Sequence, residues 1–112
     1  MSSPIVPSVS INALARLLAK GASVTLVDVR KAPAFESDPV FIPGAVTRDP
    51  TEVANWGASL PDDRPVIVNC VHGHEVSQGV VAGLVARGLD ARFLEGGIDA
   101  WIRAGHHTVD AR

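Results

Sequence analysis

Residues 65–78 read Pro-Val-Ile-Val-Asn-Cys-Val-His-Gly-His-Glu-Val-Ser-Gln, and the rest of the chain has to be fitted around them. Val66 to Val68 is a short, β-branched apolar run, the pattern of a strand buried on both faces. It ends at Asn69, and the only cysteine of the chain, Cys70, follows at once. A short loop centred on Gly73 leads into a segment, Val76 to Arg87, with the apolar spacing of a helix. A buried strand that ends in a loop and a helix start belongs to open α/β sheets, which hold their ligands at the carboxyl ends of the strands. The first turn of such a helix has unpaired N–H groups and the positive end of the helix dipole. Both favour an anion in the loop, and a cysteine thiolate is one such anion.

Strands and helices alternate along the chain. Ser8 or Ser10 is a suitable N-cap for a helix carrying Ile11, Leu14, Leu17 and Leu18 on one face, with Gly21 as its stop. Val24 to Val29 reads as a strand closing on Asp28-Val29-Arg30. Lys31 to Pro43 contains three prolines and reads as an irregular loop with at most one short helical turn, its Phe35 and Phe41 folding back as anchors. Ala45 to Thr47 reads as a short strand after the Pro43-Gly44 turn. Asp49 or Thr51 would cap a short helix through Trp56, and Gly57 to Arg64 would cross the surface. In the helix after the cysteine loop, Gly79 and Gly83 share a face, which predicts close packing of that helix on the sheet. Arg92 to Leu94 is a last short strand. A final helix runs through Trp101 to Gly105, and Thr108 to Arg112 is expected to fray. The alternation predicts an α/β fold with a parallel sheet and helices on both faces.

Composition narrows the function. With 112 residues and 46% hydrophobic content the chain suits a single domain, residues 1–112, with a real core. Ten basic against twelve acidic side chains and few aromatic residues leave no basic, stacking surface, so no nucleic acid is expected as a partner. No apolar run approaches a membrane span, and residues 1–8 lack the pattern of a signal peptide, so no membrane is expected either. One cysteine cannot form an internal disulfide, which points to a reducing cytoplasm.

The chemistry-bearing residues centre on Cys70, read as a reactive thiol and not a core cysteine because a loop and helix start follow it. Gly73 lets the loop curl. His72 and His74 flank it, as hydrogen-bonding or cationic groups for an anionic substrate or as plain surface histidines. A metal site of Cys70, His72 and His74 lacks the second pair of ligands that structural zinc commonly has. Glu75 is out of keeping with an anion site, although an acidic residue in a first helical turn is stabilising by itself. Asp28 and Arg30 end another strand on the same sheet edge and suit an ion pair or a loop anchor. Arg48 reads as a solvated arginine, and His106 and His107 as residues without a specific role.

Taken in order, these segments resemble a single-domain rhodanese, a sulfurtransferase. Leu26-Val-Asp-Val-Arg30 is similar to the family's first signature. Phe35 through Ile42-Pro-Gly-Ala45 resembles its second, Val66 to Gly73 its strand and Cys-x-x-Gly loop, and Leu94-Glu-Gly-Gly97 with Trp101 and Gly105 its closing signature. The resemblance implies a three-layer α/β/α fold with a central, mainly parallel sheet. It implies that Cys70 takes a sulfane sulfur from thiosulfate or a persulfide donor, and passes it to cyanide, a thiol or a sulfur-acceptor protein. It further implies that the loop residues Val71, His72, Gly73, His74, Glu75 and Val76 bind the substrate, that Asp28 and Arg30 give structural support, and that no metal or organic cofactor takes part. Many active members carry arginine where this chain has Glu75. Related phosphatases grip phosphate with a longer loop ending in arginine, which neither Glu75 nor Val76 supplies. Two readings stay open. The cysteine favours an enzyme, and Glu75 favours a weakly active binding or redox-sensing module on the same fold.

Overall fold

The computed structural model describes residues 6–111. Five parallel strands form its main sheet: β1 (Ser8–Val9), β2 (Thr25–Asp28), β4 (Val46–Thr47), β5 (Val66–Asn69) and β6 (Ala91–Leu94), in the order β1-β6-β5-β2-β4. The β-branched run of the cysteine segment is therefore the central strand. All four of its residues are buried, as a strand covered on both faces requires.

Strand side chains alternate between the faces, and this divides the core in two. Val27, Val66 and Val68 point to one side, where they meet Val80, Val81 and Leu84 of α4 (Glu75–Ala86) and Trp56 of α3 (Val53–Trp56). Leu26 and Ile67 point to the other, against Leu14 of α1 (Ile11–Ala19) and Ile98 and Trp101 of α5 (Gly97–Arg103). Each fully buried Val or Leu contributes about 1.5–3 kcal/mol, so both helical layers are held chiefly by this burial. The result is the three-layer arrangement expected from the alternation.

Local signals set the helix ends. Ser10 is the N-cap of α1, its hydroxyl accepting from the Ala13 N–H at 3.1 Å. Asp49 accepts from the Thr51 N–H and hydroxyl at the start of a 3-10 turn, Pro50–Glu52, that precedes α3. Those two bonds hold the Asp49 carboxyl below its usual range. Trp56 is fixed by its indole N–H, 2.8 Å from the Asp49 carbonyl.

Four expectations need correction. The proline-rich stretch holds a six-residue helix, α2 (Ala32–Ser37), because Pro33 sits in its first turn, where a missing N–H costs nothing. The strand β1 at the sheet edge was not expected from its two residues. The tail does not fray: β7 (Val109–Asp110) pairs antiparallel with β3 (Val40–Phe41), and the Ala111 N–H reaches the Pro39 carbonyl at 3.0 Å. Finally, Gly79 is exposed with open space where a side chain would stand, and Gly83 faces Val53 at ordinary contact distance. Neither glycine is there to let α4 approach the sheet.

Candidate functional site

The order of the sheet places the site. The chain leaves β2 for its neighbour β4 on one side, and leaves β5 for its neighbour β6 on the other. Beyond the carboxyl ends of β2 and β5 the connections diverge and open a crevice, the place where open α/β sheets bind ligands. Cys70 follows β5 and Val29-Arg30 follows β2. A cleft of about 480 Å³ lies there, with Val29, Arg30, Lys31 and Ala34 on one wall and Cys70, Val71, His72, His74, Glu75 and Val76 on the other.

Cys70 is 7% exposed, packed in the α4-side core and lining the cleft. Its Sγ lies 3.1 Å from the hydroxyl of Ser77, which is fully buried in the first turns of α4. That hydroxyl accepts from the thiol and stands 3.4 Å from the His74 carbonyl as a donor. It can turn its hydrogen to the sulfur once the thiol ionises.

The loop keeps its shape by lying on the turn between β6 and α5. The Cys70 and Val71 carbonyls accept from the Ile98 and Asp99 N–H groups at 2.9 and 3.0 Å. The Gln78 amide donates to the Gly73 carbonyl at 3.0 Å. Gly73 has φ +74°, and a Cβ there would come within 2.6 Å of the Leu94 carbonyl oxygen. Gly97 has φ +64°, and a Cβ there would come within 2.6 Å of the Cys70 carbonyl oxygen. Loop and turn can therefore touch only if both positions are glycine.

This packing uses the loop's carbonyls and leaves its amides. Among the described residues, none of the N–H groups from Val71 to Val76 donates to a backbone or side-chain acceptor. A row of unpaired amides at a helix start is a place for negative charge. His74 is the N-cap of α4 and Glu75 its first residue, and both are exposed on the cleft wall. His72 is 59% exposed, its Nδ1 3.8 Å from an Asp99 carboxylate oxygen, and its ring lies 6.1 Å from that of His74. Val76 is half-buried against the α4-side core. Among the described residues no three His, Cys, Asp or Glu side chains converge as metal ligands.

Asp28 and Arg30 form a buried pair, each side chain 1% exposed, with the guanidinium gripping both carboxylate oxygens at 2.8–3.1 Å. Arg30 also donates to the Asp38 and Val40 carbonyls at 3.0 and 2.6 Å, and its guanidinium lies over the Phe35 ring at 5.0 Å. Phe35 in turn stacks on Phe41, centroids 5.0 Å apart. Arg48 is exposed and bonded to the Thr47 carbonyl. His106 stacks on Trp101 at 4.6 Å, and the His107 carbonyl takes the Trp101 indole N–H.

Sequence reasoning gave no role to Ser77 or Lys31. A serine seven residues after a cysteine forms no recognisable pattern until the loop's path is known. Lys31 lay in the segment read as irregular loop, and only the fold of α2 puts it across the cleft from Glu75.

The profile of the rhodanese-like domain matches residues 10–104. The chain is similar to the thiosulfate sulfurtransferase GlpE of Pseudomonas savastanoi pv. phaseolicola, 39% identical over 77 residues that cover 68% of this chain and 70% of that protein. The GlpE of Shewanella oneidensis is 32% identical over 96 residues, covering 85% and 91%. Among solved structures, the rhodanese-related protein from Thermoplasma volcanium superposes with a TM-score of 0.79 at 26% identity, over 92% of this chain and 97% of that one. The thiosulfate sulfurtransferase from Pseudomonas aeruginosa superposes with a TM-score of 0.81 at 25% identity, over 96% of this chain and 21% of that one. With the profile spanning almost all of the sheet and the cysteine loop included in it, the chain belongs to the rhodanese family.

Proposed function

We propose that this protein is a sulfurtransferase that carries a sulfane sulfur on Cys70, taking it from thiosulfate or a persulfide and giving it to cyanide or a thiol. The observation that carries the reading is the placing of the one thiol. It is packed beside Ser77, lines the cleft, and is followed by amides that no acceptor among the described residues uses. The Cys70 thiolate attacks the outer sulfur of thiosulfate. The S–S bond of the donor breaks, its electron pair leaves with sulfite, and Cys70 is left as a persulfide anion. The loop amides hold that charge, and Ser77 donates to the inner sulfur. Cyanide or a thiolate then attacks the outer sulfur and the Cys70 thiolate leaves. The two steps need no metal and no organic cofactor.

The remaining loop residues line the donor's path, and the Asp28–Arg30 pair holds the opposite wall. A cytoplasmic setting suits a catalyst that must keep a free thiol. No helix among the described residues is long and apolar enough to cross a membrane.

Intact-protein mass spectrometry tests the reading. After incubation with thiosulfate, or with a persulfide, the protein gains one sulfur atom, and cyanide or a thiol removes it. Cys70→Ser gains none and stays folded. A wild-type protein that gains no sulfur from either donor class ends the proposal. Glu75 on the cleft wall supports a second reading, a redox-sensing or sulfur-holding module. That protein would take up one sulfur but show no multiple turnover with any acceptor.

A further inference from the structure

An anionic donor entering this cleft meets the carboxylate of Glu75, and a cation on the facing wall would add to the loop amides in offsetting it. Arg30 cannot serve. Its side chain is 1% exposed, and it is committed to Asp28 and to two backbone carbonyls. His72 stands 3.8 Å from Asp99, and His74, whose side chain makes no capping bond, lies next to Glu75 on the same wall. Lys31 remains. It is exposed at the start of α2 with no capping bond from its side chain, and it forms no ion pair among the described residues. It lines the Cys70 cleft and also the adjoining groove beside Arg48 and Asp49. Asp49, whose carboxylate feels the lysine's charge, takes both Thr51 bonds on Oδ1, and among the described residues it makes no ion pair with Lys31.

We propose that Lys31 is the donor-binding cation of the cleft: its ammonium holds the sulfonate end of an anionic sulfane-sulfur donor while the outer sulfur faces Cys70. This rests on the sulfurtransferase reading and adds the residue that selects among donors. An ammonium opposite the nucleophile favours thiosulfate, a dianion, and does nothing for a donor without net negative charge. Binding of a charged end remote from the reacting sulfur acts on KM more than on kcat.

The test measures steady-state transfer to cyanide from thiosulfate and from cysteamine persulfide, whose ammonium and persulfide charges cancel. The proteins are wild type, Lys31→Gln, Lys31→Glu, Lys31→Arg and, as control, Arg48→Gln, each checked for folding by circular dichroism. The expected result is a thiosulfate KM raised about tenfold in Lys31→Gln and further in Lys31→Glu. Lys31→Arg and Arg48→Gln stay within about twofold of wild type, and the cysteamine persulfide KM moves by less than about twofold throughout. An unchanged thiosulfate KM in Lys31→Glu overturns the inference and leaves the sulfurtransferase reading standing. So does an equal loss with both donors, or an Arg48→Gln effect as large as that of Lys31→Gln. A wild type that takes sulfur from neither donor overturns both.

Discussion

Cys70 must be held in place and yet reach a small anion, and the buried hydroxyl of Ser77 at 3.1 Å meets the first need. A hydrogen bond to a charged sulfur is worth about 1.5–3 kcal/mol. Ser77→Ala, which keeps the helix, is therefore expected to lower kcat/KM roughly ten- to a hundredfold and to slow alkylation of Cys70 by iodoacetamide, with little change in melting temperature. Gly97→Ala fails differently. It places a methyl against the Cys70 carbonyl at a positive φ, so it should cost about 3 kcal/mol in a urea melt and distort the loop as well. Glu75→Gln removes a charge from the cleft wall at nearly constant shape. With the opening solvated, a roughly three- to tenfold gain in kcat/KM for thiosulfate is expected, fading as salt is added. An equal kcat/KM for both proteins at low salt would mean the carboxylate serves only the helix start. At this scale Cys70, Gly73 and the flanking histidines were legible in the sequence, because strand, cysteine, loop and helix lie next to one another along the chain. Ser77 was not, since its partnership with Cys70 depends on how the loop folds back.

The helices with apolar periodicity and the strands β2, β4, β5 and β6 were read well, and the proline-rich α2 was not. The stripe Val76, Val80, Val81, Leu84 and Val85 gave α4 and most of its buried face, with Val76 half-buried and Val85 exposed. The same pattern suggested a packing reason for Gly79 and Gly83 that the open space beside Gly79 contradicts. The strands β1, β3 and β7 exist because a neighbour supplies their partner, and no local run or turn signal announces them. The Asp28–Arg30 pair shows the same limit. Its place at the end of β2 was readable, but the Asp38 and Val40 carbonyls it also holds lie beyond α2, whose path no periodicity defines. Arg30 thus ties β2, α2 and β3 together through one guanidinium. Arg30→Lys keeps the charge but cannot make the forked contact with Asp28 and reach both carbonyls. It should cost about 2–4 kcal/mol in a urea melt, and Arg30→Ala about 3–5 kcal/mol, since Asp28 would be left buried and unpaired. If Arg30→Lys is as stable as wild type, the pair is ornament to a wall that packing alone maintains.

Over the whole molecule, the site joins layers that the sheet otherwise keeps apart. The Cys70 side chain belongs to the α4 side of the core, while its carbonyl is held by the start of α5 on the other side. The opposite cleft wall depends on a segment far away in sequence, because β3 and the carbonyls bound by Arg30 are held from outside by β7. Such long-range closure was beyond the sequence reading, which had the alternation of strands and helices but no means of seeing that residues 109–111 return to residues 39–41. It carries a consequence that can be measured. Deleting residues 109–112 removes the antiparallel pairing and the Ala111–Pro39 bond but leaves Cys70, Ser77 and the loop contacts with α5 in place. The β3 strand is then held by Arg30, by the stacking of Phe41 on Phe35 and by the packing of Val40 and Ile42. Amide exchange should rise first at Val40 and Phe41, and then at Val29 and Arg30 as the wall loosens, while the loop amides from Val71 to Val76 keep their wild-type rates. Melting should fall by roughly ten degrees, in line with the loss of two or three hydrogen bonds worth about 1 kcal/mol each. The deleted protein should still take one sulfur on Cys70, with a raised KM for thiosulfate as Lys31 and its helix lose their fixed position across the cleft. Unchanged exchange at Val29 and Arg30 would mean instead that the buried ion pair holds that wall without help from the tail.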